Sequence, residues 1–124
     1  MKMKELLNLC LAIVFALLLI SGPAAAHAIV TSTSMNNRPL PPNRAAEVVL
    51  HFNSTIEFGF VRVFLLNEKG EESRLAAKAG ASKSAILVQM PTLSPGAYAL
   101  RYRVLAVDGH FTDNLLRFSV SNPE

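Results

Sequence analysis

The stretch AVDGHFTDN, residues 106–114, carries Asp108 and His110 two positions apart with Gly109 between them. In an extended backbone, side chains at i and i+2 point to the same side. A carboxylate and an imidazole so placed can hold a metal ion together, or can be an ordinary charged turn. The pair alone does not separate the two. His27 offers the other half of a site, provided it is the first residue of a processed chain. Its α-amino group and its imidazole Nδ1 would then close a chelate ring on one ion. Amines and imidazoles both release protons to metals near neutral pH. With Asp108 and His110, the set becomes three nitrogens and one carboxylate oxygen. Such donors in a tetragonal arrangement suit Cu(II), which also tops the Irving–Williams order. Zinc is the competing ion.

His27 leads the chain only if the residues before it are removed. Lys2 and Lys4 precede an apolar run from Leu6 to Ile20, Gly22 and Pro23 break it, and AAAHA follows with small residues. That is the layout of a secretory signal peptide. The run of 15 residues is short of the roughly 20 that span a bilayer. Two cleavage points satisfy the small-residue rule. A cut after Ala26 gives a chain starting at His27, whereas a cut after Ala28 starts it at Ile29 and discards the histidine. We read residues 1–26 as the signal peptide and 27–124 as a single domain.

Loss of Lys2, Lys4 and Glu5 with the leader lowers the formal charge from +3 to +2. The remaining Lys and Arg are scattered, which excludes a surface that tracks nucleic-acid phosphates. Cys10, the only cysteine, also leaves with the leader. The exported chain therefore has no disulfide, thiolate metal site or cysteine nucleophile. No His-Asp-Ser arrangement can be assembled without the same histidines, and there is no glycine-rich phosphate loop, so the expectation is a binding protein and not an enzyme.

The elements that must position the donors read as strands. AEVVLHFN alternates, with Val48, Leu50 and Phe52 on one face and His51 on the polar face. AYALRYRVLAV turns Tyr98, Leu100, Tyr102 and Val104 inward, and NLLRFSV aligns Leu116, Phe118 and Val120. AIVTSTS, GFVRVFLLN and AILVQM complete the set. Between them, MNNRPLPPNR, NEKGEES, AKAGASKS and PTLSPG read as turns and loops. No part of the mature chain has a sustained helical period. Six or seven short strands in 98 residues indicate an all-β sandwich or small Greek-key barrel. His51 is assigned to the surface, and Met35 and Met90 to packing or loops. Asp113 is read as a turn residue or a hydrogen-bond acceptor for an imidazole.

The start HAIV, the strand EVVLHF, the turn and strand LSPGAYALRYRV, and AVDGHF followed by RFSV resemble the CopC family of periplasmic copper-binding proteins. The resemblance runs through almost the whole mature chain in order. It implies a seven-stranded Greek-key β-barrel related to immunoglobulin-like sandwiches. It also implies a Cu(II) site, one ion per chain, made by His27 through amine and ring with Asp108 and His110. A role in copper homeostasis or resistance follows, often alongside a CopD-type inner-membrane protein. Some members carry a Met-rich loop for Cu(I), but here only Met35 and Met90 lie outside the leader and residues 65–80 contain no Met. Phe111 and Asn114 stand where members often have Pro and Gly. Two other classes remain beside this reading: an oxidative copper enzyme of the histidine-brace type, and a metal-free immunoglobulin-like interaction module.

Overall fold

The structure, a computed structural model, describes residues 2–20 and 27–123. The cleavage residues Ala24 to Ala26 lie outside them. Among the described residues one α-helix, α1 (Met3–Ile20), precedes eight strands. These are β1 (Val30–Thr33), β2 (Ala46–Phe52), β3 (Arg62–Leu66), β4 (Glu72–Leu75), β5 (Ala77–Ala79), β6 (Ala85–Met90), β7 (Gly96–Leu105) and β8 (Phe111–Val120). From Met3 to Leu17 every residue of α1 is exposed, and none of them joins the core. Among the described residues no helix is long and apolar enough to cross a membrane.

Two four-stranded sheets, ordered β1-β2-β6-β5 and β4-β3-β7-β8, face each other, and every strand pair is antiparallel. The chain visits them two strands at a time, changing sheet after β2, β4 and β6. The alternation read from sequence is what fills the gap. Val48, Leu50 and Phe52 from one sheet meet Leu100, Tyr102 and Val104 from the other, all buried. The Phe52 and Tyr102 rings touch edge to face, with centroids 5.6 Å apart. Burial raises the Tyr102 phenol pKa, against hydrogen bonds from the Val30 backbone and Asn114 that lower it. Met35 and Met90 are core side chains.

The all-β, two-sheet architecture is the expected one, with eight strands in place of seven. Residues 72–73 and 77–79, read as turn and loop, belong to paired edge strands: β4 lies against β3 and β5 against β6. Glu72, Ser73, Arg74 and Lys78 give these edges no apolar alternation, so their pairing comes from the neighbouring strand and not from propensity. The turn on Gly70 holds, with φ +77° and the Gly70 amide bonded to the Asn67 carbonyl at 2.9 Å. Gly59 and Phe60, read as the start of a strand, lie in a 3-10 turn, Phe58–Phe60. The Pro-rich loop after β1 pairs at one point, where Leu40 bridges Val120 of β8. It makes its turns with Asn36, Asn37 and Asn43 at positive φ. That bridge joins the loop leaving β1, an edge of one sheet, to β8, an edge of the other.

Candidate metal centre

Asp108 and His110 lie on the β7–β8 hairpin, and the way they meet differs from the extended geometry read in the sequence. The Gly109 amide donates to the Ala106 carbonyl at 2.9 Å and the Ala106 amide donates to the His110 carbonyl at 3.0 Å. Val107, Asp108 and Gly109 therefore form a three-residue loop, with Gly109 at φ +91° in the left-handed region that such loops require. The turn, not strand alternation, brings the pair together. Asp108 Oδ1 accepts the His110 backbone amide at 3.2 Å and stands 3.4 Å from His110 Nδ1. Both side chains face solvent, about half of Asp108 and two-thirds of His110 being exposed.

The hairpin is braced at its base. Residues 53–57, which carry the chain from β2 towards β3, lie along it: the Val107 amide donates to the Thr55 carbonyl at 3.1 Å and the Glu57 amide to the Leu105 carbonyl at 2.8 Å. This connection also grips the segment around His27. Asn53 Oδ1 accepts the Ile29 amide at 2.8 Å, and the Asn53 amide donates to the Ile29 carbonyl at 3.0 Å. Ala28 is wholly buried, and its amide donates to the Thr112 hydroxyl at 3.1 Å. His27, bonded to that nitrogen, is exposed. It lies at the same end of the sandwich as His110, which precedes Thr112 by two residues, roughly 7 Å along an extended chain.

The structure thus brings Asp108 and His110 into contact and anchors the residue next to His27 on the strand that follows them. It does not gather the three side chains into one group. Among the described residues no cluster of three or more His, Cys, Asp and Glu is placed to hold one ion. In the unprocessed chain His27 is an internal residue, whose nitrogen is an amide and not an amine. His51 is exposed on β2 opposite Ser32 and Ala85. Asp113 is neither a turn residue nor a partner for imidazole. It is a strand residue whose carboxylate takes Arg101 Nη1 at 3.0 Å, sharing that guanidinium with Glu72. Its place directly beyond Arg103 in the β7–β8 register sets it over the outer face, where Arg101 also points.

Sequence reading missed two contributors, Thr112 and Asn53, because each acts through a partner distant in the chain. It also missed the apolar rim: Val107, Phe60 and Phe111 are about half exposed around the hairpin. There the Phe60 edge meets Phe111 at 6.2 Å, and Arg103 lies 4.3 Å over the same ring.

Residues 30–121 match the family described as the CopC domain. The chain belongs to the CopC family. The matched span contains Asp108 and His110 and begins three residues after His27. Among solved structures, the chain is similar to CopC from Methylosinus trichosporium OB3b, at 25% identity and TM-score 0.65, over 79% of this chain and 97% of that one. PcoC, a methionine-rich copper resistance protein from Escherichia coli, shares the CopC fold at 19% identity and TM-score 0.58, over 77% of this chain and 100% of that one. Comparison with curated proteins finds no match.

Proposed function

We propose that residues 1–26 are removed on export and that the mature chain, 27–124, is a periplasmic protein that binds one Cu(II). The ligands are the amine and imidazole of His27, the Asp108 carboxylate and the His110 imidazole. One observation carries the reading: the segment beside His27 is built into the sandwich at the hairpin that bears the other two donors. The same observation bears on the cleavage point. A chain beginning at Ile29 would lack a wholly buried residue and the bond to Thr112, so a cut before His27 is the one that preserves the fold. The exposure of α1's apolar side chains also favours removal, since an intact helix would leave a large apolar surface in water.

Copper here is cargo. The donors suit Cu(II) over Cu(I), because Met35 and Met90, the two methionines outside the leader, are buried in the core and offer no thioether at the surface. Asp108 would occupy a position that oxygen activation needs open, which favours holding and handing over the ion, with a CopD-type inner-membrane protein as the receiving partner. Titration of the mature protein with Cu(II), followed by competition with Zn(II), tests the assignment. The expected result is saturation at one Cu(II) per chain, retained against equimolar zinc. Saturation at two, sulfur ligands in X-ray absorption, or affinity no better than that of a histidine-containing peptide would overturn it.

A further inference from the structure

We infer that Thr112 is the positioning residue that fixes where the amino terminus stands relative to His110. This rests on the reading of His27 as a ligand through its amine. A metal–nitrogen bond of about 2.0 Å tolerates little misplacement, yet chain termini fray unless tied down. The β1–β2 ladder does not tie this one by itself. Its register shifts between Val30 and Ser32, so the regular pairing is interrupted just where the terminal segment enters.

Three features take over from the ladder. Ala28 is wholly buried and cannot slide without opening the core. The Ile29 peptide is held at both its amide and its carbonyl by Asn53, at 2.8 and 3.0 Å. The Ala28 amide, the last before His27, is held by Thr112 at 3.1 Å. Thr112 is a polar side chain that the fold buries. A hydroxyl in that setting is costly unless paired, and its partner is 84 residues away in the chain.

The placement of that hydroxyl matters as much as its presence. Thr112 lies on the strand that leads out of the hairpin, two residues after His110. His110, at the end of the hairpin, and Thr112, at the start of β8, are therefore two residues apart in one short stretch that carries one donor and the anchor for the His27 donors. A shift of β8 moves both together, and the spacing across the ion is conserved. The latch is formed in the unprocessed chain, so cleavage has only to turn the His27 amide into an amine.

The test uses the mature protein and replaces Thr112 by Val, which keeps the shape and loses the hydroxyl, or by Ser, which keeps the hydroxyl. Losing one hydrogen bond of ordinary strength changes an equilibrium by roughly fivefold. Thr112→Val should weaken Cu(II) binding by about that factor and shift the copper electron paramagnetic resonance (EPR) parameters, and Thr112→Ser should restore both. Asn53→Ala, exposed and acting on the next peptide, should shift the same spectrum and keeps the test alive if Thr112→Val fails to fold. In protein whose His27 amine is acetylated, Thr112→Val should have a smaller effect, because the chelate it positions is gone and only the His27 imidazole remains. Native affinity and spectrum in both Thr112→Val and Asn53→Ala overturn the inference, even if acetylation has weakened binding. If acetylation itself changes nothing, the failure lies in the amine reading instead.

Discussion

A mature chain whose His27 amine carries an acetyl group binds Cu(II) at least about a hundredfold more weakly than the free-amine protein and folds identically. The magnitude follows from what the cap removes. Loss of an outer partner of a metal ligand costs about 10–100-fold in affinity, and acetylation removes a direct donor together with the chelate ring it closes with the His27 imidazole. An acetyl cap is a cleaner change than an added residue, since an extra residue brings its own amine beside His27. The fold is untouched because the residues that anchor the segment are Ala28, Ile29, Asn53 and Thr112, all downstream of the cap or distant from it. Competition against a chelator of known affinity, with circular dichroism as the folding control, reads the result. Equal affinities would remove the terminus from the site and leave Asp108 and His110 as a weakly binding turn.

The second large effect separates the histidines. His110→Ala should lower Cu(II) affinity by about a hundredfold on the same reasoning, whereas His51→Ala should leave it unchanged. His51 is exposed on β2, between Ser32 and Ala85 in register, and surface replacements of this kind stay within about 0.5 kcal/mol of stability. Neither residue contributes to the core, so thermal stability should change little in both variants. Comparable losses in the two would mean that His51 is a ligand and the assignment is wrong.

Much of this was open to reading from residue order, for reasons that differ by element. β2 and β7 were legible because Val48, Leu50, Phe52 and Leu100, Tyr102, Val104 alternate strictly and belong to strands half-buried between sheets. β4 and β5 were not, because polar and small residues at a sheet edge take their conformation from the strand they pair with. The proximity of Asp108 and His110 was legible from spacing, but its cause was not. Gly109 at φ +91° turns the chain, and the Asp108 carboxylate folds back onto the His110 amide. Asp113 was misplaced because Arg101, its partner, sits 12 residues away on the neighbouring strand. Thr112 and Asn53 gave no local sign at all. Asn53 holds Ile29 beside the β1–β2 pair, and Thr112 meets Ala28 only where the two sheets come together.

If one copper ion is held by the imidazoles of both His27 and His110, pulsed EPR of the one-to-one Cu(II) complex at neutral pH will count them directly. The native mature protein should show two imidazole nitrogen couplings, His27→Ala one, His110→Ala one, and His51→Ala two. A native spectrum with a single imidazole, or a coupling lost in His51→Ala, would contradict it.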